Sequence, residues 1–219
     1  MKIITLLITL IMHQPDDSVK TYNILTIGDS NGTSQEGWVY QLGILRGNDK
    51  IFNCSVGGNT IGFDNLGQTK LNTLKNVNQY IKSAEDSLKR LDMILIMLGT
   101  NDCKAVFDSL QQDVPGNLEE LVDIIFNYPY ISQKVPQIVL ITPPPIGKDS
   151  MLLPKYYGGL MRLERLLPEY KRISEKYNCK YVDIFHPLFN GFESLTVDGI
   201  HLNEAGYKKA AFIINEAIK

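Results

Sequence analysis

The chain has 219 residues, 44% of them hydrophobic and 21% charged, with a formal net charge of −2. That length suits one domain with a substantial core, and the near-neutral charge, with no basic run or aromatic-interleaved patch, speaks against binding nucleic acid or an anionic membrane. Three cysteines, Cys54, Cys103 and Cys179, show neither C-x-x-C spacing nor a histidine at ligand spacing, which excludes a zinc site or disulfide framework as the leading reading.

The chain opens with Met1-Lys2 and an unbroken apolar stretch, Ile3 to Met12, followed by polar HQPDDSVK. A stretch of ten residues suits the core of a signal peptide and is too short to span a bilayer. No A-x-A-like cleavage site follows, so a first strand or an apolar tail is the alternative. Residues 1–14 are therefore expected to be a leader and residues 20–219 a single domain. Export to the periplasm or the cell exterior is the expected location, with the cytoplasm as the alternative. The cysteines are expected to be small, partly buried apolar residues, one disulfide plus a free thiol being the alternative in an oxidising compartment.

Short β-rich runs follow at Tyr22–Ile27, Lys50–Asn53, Met93–Leu98, Gln137–Thr142 and Lys180–Ile184. Between them lie segments of helical character: Gly37–Leu45, Leu71–Arg90, Leu118–Asn127 and Leu160–Tyr177. A last helix is expected over Glu204–Ile218, with Asn203 as its N-cap. The runs MILIML and IVLI are continuously apolar, as in strands buried on both faces of a parallel sheet. Strand and helix alternation predicts an α/β fold, a three-layer α/β/α sandwich with right-handed crossovers.

Open parallel sheets bind ligands outside the carboxyl ends of their strands, so the segments just after the strands matter most. The first strand runs into Gly28-Asp29-Ser30, the second into SVGGNTIG, the third into Gly99-Thr100-Asn101-Asp102 and the fourth into Pro143-Pro144-Pro145. After the fifth, Asp198-Gly199-Ile200-His201 precedes the last helix. Serine needs an adjacent base to act as a nucleophile. Of three histidines, His13 falls in the expected leader and His186, in IFHPLF, reads as a packed or turn residue. His201 has a carboxylate three residues earlier, a spacing that lets Asp198 fix its tautomer while the other nitrogen faces Ser30.

An acyl-transfer site also needs donors for the developing oxyanion. The Ser30 amide, the backbone at Gly57-Gly58 and the Asn101 side-chain amide are candidates. Read singly, GG is a turn, Asn101-Asp102 a cap, and DGIHLN a turn before an N-cap. Asp29 and Asp102 lack a second acidic residue at metal-ligand spacing, so a metal site ranks lower.

In order, GDSN (Gly28–Asn31), NCSVGGNT (Asn53–Thr60), GTND (Gly99–Asp102) and DGIH (Asp198–His201) resemble the blocks of the SGNH, or GDSL-type, hydrolase superfamily. LIMLGTNDCKAVF, ITPPPI and DGIHLNEAG are especially similar to its arylesterase-like branch. The resemblance implies a flavodoxin-like five-stranded parallel sheet, no cofactor, Ser30 as nucleophile, His201 as base and Asp198 as its orienting carboxylate. It implies an oxyanion hole of the Ser30 amide, the Gly58 amide and the Asn101 side chain, and selects Gly58 over Gly57. Asn31-Gly32 departs from the Leu or Ile followed by Thr of many relatives.

The expectation is a serine esterase acting on short-chain, mainly acetyl, esters through an acyl-enzyme. Its substrate would be a small-molecule or carbohydrate acyl ester, without nucleic acid or stable membrane insertion. A thioesterase or lysophospholipase for longer acyl chains, acyl transfer to another acceptor, and a non-catalytic carbohydrate-binding protein on the same fold are the alternatives. The Pro143–Tyr157 loop is a candidate wall for the acyl or alcohol part of the substrate.

Overall fold

A computed structural model describes residues 21–33 and 35–219; the expected leader and His13 lie outside them. Among the described residues, five strands form one sheet: β1 (Asn23–Gly28), β2 (Lys50–Asn53), β3 (Met93–Met97), β4 (Gln137–Ile141) and β5 (Lys180–Val182). Their order is β2-β1-β3-β4-β5, and every pairing is parallel. This is the flavodoxin-like order, which reverses between β1 and β3 and opens a crevice at their carboxyl ends.

The continuous apolar run of β3 resolves into two faces, because side chains alternate along a strand. Ile94 and Ile96 enter one core, with Val77 and Ile81 of α3 (Thr73–Leu88), Leu118 of α4 (Val114–Phe126) and Tyr170 of α5 (Gly159–Lys176). Met93, Leu95 and Met97 enter the other, with Trp38 and Leu42 of α2 (Trp38–Arg46) and Ala210 and Ile214 of α7 (Glu204–Ala217). Each fully buried Ile or Leu contributes about 1.5–3 kcal/mol relative to exposure. Burial on both faces is why no polar residue interrupts the run.

The expected strands and long helices all form, with ends moved by a few residues. Leu71 belongs to a 3-10 turn, and α3 starts only at Thr73, where the Asn72 side chain accepts from the Lys75 amide. Asn203 caps α7 by accepting from the Gly206 amide at 3.0 Å. Sequence reasoning passes over the four-residue helix α1 (Ser30–Thr33) and α6 (Phe185–Phe189). Both are too short for a 3.6-residue periodicity to register. The three cysteines are free, Cys103 buried and the others half-buried, so the disulfide alternative is not realised.

Candidate active site

β1 ends at Gly28 and α1 begins at Ser30, so the serine sits at a strand-to-helix turn. The buried Asp29 carboxylate makes that turn by accepting from the Asn31 amide at 2.9 Å. Two glycines allow the tight packing around it. A Cβ on Gly28 would meet Ser55 Oγ at 2.8 Å, and one on Gly32 would meet it at 2.3 Å. At the start of α1 the Ser30 amide has no intrahelical acceptor, as for any first helical residue.

The loop between Thr196 and Leu202, which pair as an antiparallel bridge, carries Asp198 and His201. Gly199 turns it with φ +80°, where a side chain would be strained and would also meet Leu152. Asp198 Oδ1 accepts from the amides of Ile200 (2.9 Å) and His201 (2.7 Å), and Oδ2 lies 2.7 Å from His201 Nδ1. His201 Nε2 lies 2.9 Å from Ser30 Oγ. With Nδ1 protonated toward the carboxylate, Nε2 is the nitrogen left to accept from the serine hydroxyl. Burial pushes the Asp198 carboxyl up, but the bonds from the His201 amide and ring and the Ile200 amide hold it below the ordinary carboxylate value.

The remaining expected residues converge on the same edge. Gly58 adopts φ +84°, and Asn65 Nδ2 donates to its carbonyl at 2.6 Å. Gly57 has no positive φ and would accommodate a Cβ in open space, so of the two adjacent glycines only Gly58 needs to be glycine. Asn59 ties this loop to β1 by donating to the Gly28 carbonyl at 3.3 Å. Asn101 Nδ2 donates to the Asn59 carbonyl at 3.0 Å, while Oδ1 accepts from the Tyr156 hydroxyl at 3.0 Å. The tyrosine thereby fixes which way the buried amide points and leaves one N–H of Nδ2 uncommitted.

Asp102 is braced rather than free: both carboxylate oxygens lie 3.0 Å from the Ile61 amide. Burial pushes its carboxyl up to about 7, against the bonds from Ile61 and Gly62. Three residues that sequence reasoning did not assign complete the frame. Asn31 Nδ2 donates to the Ile200 carbonyl (3.2 Å) and Oδ1 accepts from the Leu202 amide (3.0 Å), holding the chain on both sides of His201. Asn53 Nδ2 donates to the Gly32 carbonyl at 2.8 Å. Tyr156 comes from the Pro143–Tyr157 loop; the Pro145–Lys148 part of that loop, with Leu160, Phe189 and Glu193, walls a cavity of about 340 Å³.

Of the packed and turn readings of His186, the packed one does not hold. It is exposed at the start of α6, its amide donating to Asp183 Oδ1 at 3.1 Å and its Nδ1 2.6 Å from Asp183 Oδ2. Asp183-x-x-His186 thus repeats the local geometry of Asp198-x-x-His201 without a serine at its far nitrogen. The DxxH spacing makes the pair, and only the fold brings a nucleophile to one copy.

The profile of the GDSL-like Lipase/Acylhydrolase family matches residues 22–209. The chain belongs to that family. That family of lipases and acylhydrolases lies within the SGNH superfamily. An acetylxylan esterase of Xylanibacter ruminicola is 27% identical over 143 residues, covering 58% of this chain and 28% of that protein. The chain thus spans little more than a quarter of that relative's length. Among solved structures, a carbohydrate acetylesterase family member from Sinorhizobium meliloti matches with a TM-score of 0.71 at 20% identity, covering 91% of this chain and 97% of that one. The native aryl esterase of M. smegmatis matches with a TM-score of 0.73 at 22% identity, covering 91% and 98%. These likenesses establish the α/β/α fold. Among the described residues, no helix is long and apolar enough to cross a membrane.

Proposed function

We propose that this GDSL-family hydrolase is a serine esterase that removes acetyl groups from carbohydrate through a Ser30–His201–Asp198 relay. The observation that carries the reading is the unbroken line from Asp198 Oδ2 through the His201 ring to Ser30 Oγ, at 2.7 and 2.9 Å. Ser30 Oγ attacks the ester carbonyl as His201 Nε2 takes the hydroxyl proton. Amides at Ser30 and Gly58 and the free N–H of Asn101 receive the oxyanion. Collapse of the tetrahedral intermediate breaks the bond to the sugar oxygen, which takes the proton from His201 and departs. Water then attacks the acyl-enzyme, gives its proton to His201, and releases acetate as Ser30 recovers that proton.

The acetyl-carbohydrate assignment is supported by the acetylxylan esterase relative and the carbohydrate acetylesterase neighbour. Export fits such a target, and the apolar run Ile3–Met12 is its signal in this reading. Ser30→Ala is expected to lower kcat by about 10⁴-fold or more, and to abolish labelling by a fluorophosphonate. Equal hydrolysis by both proteins removes the mechanism. A series of p-nitrophenyl esters peaking at long acyl chains replaces the acetyl reading with that of a thioesterase or lysophospholipase. Absence of label on folded wild type replaces it with carbohydrate binding alone.

A further inference from the structure

The segment after β3 carries a cation, two residues beyond Asp102, that the proposed reaction leaves unused. Lys104 is only 7% exposed, yet among the described residues its ammonium group forms no ion pair or hydrogen bond. It lies over the Tyr156 ring, 5.6 Å from the centroid. Lys155, exposed and likewise without an ion pair among the described residues, lies over the same ring at 5.5 Å. The hydroxyl of that ring donates to Asn101 Oδ1. Two ammonium groups therefore stand one phenol ring away from a proposed oxyanion donor.

Buried cations normally have anionic or carbonyl partners, because removing them from water is costly. Arg162, as buried as Lys104, follows that rule: it donates to the Cys103 carbonyl, the Asp108 carboxylate and the Tyr157 carbonyl. Lys104 does not. An aromatic ring attracts a cation, but here one ring is shared by two that repel. Burial and then the charge of Lys155 lower the Lys104 pKa, opposed by Asp102 and Asp29, neither of which contacts it. The pair lacks a counter-ion within the described residues.

We propose that Lys104 and Lys155 form a carboxylate subsite, and that the preferred substrate is an acetyl ester on an acidic sugar of the uronic acid type. The inference rests on the esterase reading of the Ser30 site. In such a sugar, one pyranose ring separates the carboxylate from the acetylated hydroxyls. Across Tyr156, one phenol ring separates the ammonium groups from Asn101. A neutral sugar would offer neither ammonium group a counter-ion.

The test compares monoacetylated methyl glucuronosides with the matching glucosides, which carry CH₂OH in place of the carboxylate. Wild type is expected to favour the acids by about tenfold in kcat/KM at low ionic strength, mainly through KM, with the preference shrinking as salt rises. In K104Q/K155Q the ratio is expected to approach one. A ratio near one in wild type, or an unchanged ratio in the double variant, overturns the proposal. Lys155→Gln alone, at an exposed position, provides the same readout if the Lys104 variant fails to fold. Calorimetry on Ser30→Ala separates the two readings: tighter binding of the acids, lost on adding K104Q/K155Q, supports the subsite whatever the mechanism. Equal binding of acids and glucosides by Ser30→Ala overturns it. If Ser30→Ala hydrolyses both series like wild type while that binding preference persists, the serine mechanism fails and the subsite stands.

Discussion

Asn31 sits beside the proposed nucleophile yet acts on the proposed base, through two bonds to the backbone on either side of His201. Its side chain is fully buried, so removing it leaves a carbonyl and an amide unpaired, at a cost of about 1–3 kcal/mol for each such group. Asn31→Leu is therefore expected to lower the melting temperature. It is also expected to lower kcat by about tenfold to a hundredfold with KM little changed, since small misplacements of a reacting group are costly. A merely structural role would reduce the folded fraction and leave kcat per active site, titrated with fluorophosphonate, unchanged. Asn101 and Tyr156 form a second pair at this scale. Asn101→Ala is expected to cost about 10²–10³ in kcat, as for other oxyanion donors. Tyr156→Phe, which keeps the ring but frees the amide to rotate, is expected to cost less and in kcat again. A Tyr156→Phe effect equal to or larger than that of Asn101→Ala would contradict a purely orienting hydroxyl.

Between elements, the bond from Asp102 to Ile61 joins the end of β3 to the loop after β2 that carries Gly58. Its carboxyl, raised from 3.8 to about 7 by burial, gives stability a definite pH sign. Through that window the native state retains a proton that the unfolded chain releases, so stability falls as pH rises. Asp29, also raised by burial, acts in the same direction. Asp198, lowered overall, acts oppositely and only at more acid pH, where its contribution is lost as pH falls through its folded pKa. Asp102→Asn keeps an oxygen for Ile61 and removes one titrating group. Relative to wild type, the variant is expected to gain stability as pH rises from about 4 to about 7, measured by urea unfolding; parallel curves would show that Asp102 contributes no such linkage. The strands that carry these residues were legible because MILIML and IVLI state double-sided burial locally, and the four blocks because each is contiguous. The frame was not. Asn31 reaches residues about 170 positions away, and Tyr156 meets Asn101 across 55; no local periodicity encodes such pairings. Asn31-Gly32, which reads as more turn in the sequence, proves to be a clamp followed by a residue with no room for a Cβ beside Ser55.

At the scale of the whole molecule, all described strands run the same way, so β1 starts at one edge of the sheet and the site forms at the other. That start is secured within the described residues: the Tyr22 amide donates to Asp49 Oδ1, the Lys50 amide to the Tyr22 carbonyl, and the Asn23 amide to Asp92 Oδ2. Ser30 follows at the opposite end of β1, and the two cores on either side of the sheet draw on α2 through α7. The described part of the chain thus begins at the end of β1 opposite to Ser30 and His201. A protein comprising residues 21–219 is expected to melt within a few degrees of the full chain and to keep kcat/KM within about twofold, as for terminal segments outside a closed core. That outcome, together with exported material whose N-terminal sequence begins after Met12, fits a leader that is removed. A truncated protein that unfolds or loses activity would instead assign Ile3–Met12 the role of a first strand. It would place in the fold a segment whose composition reads as a signal.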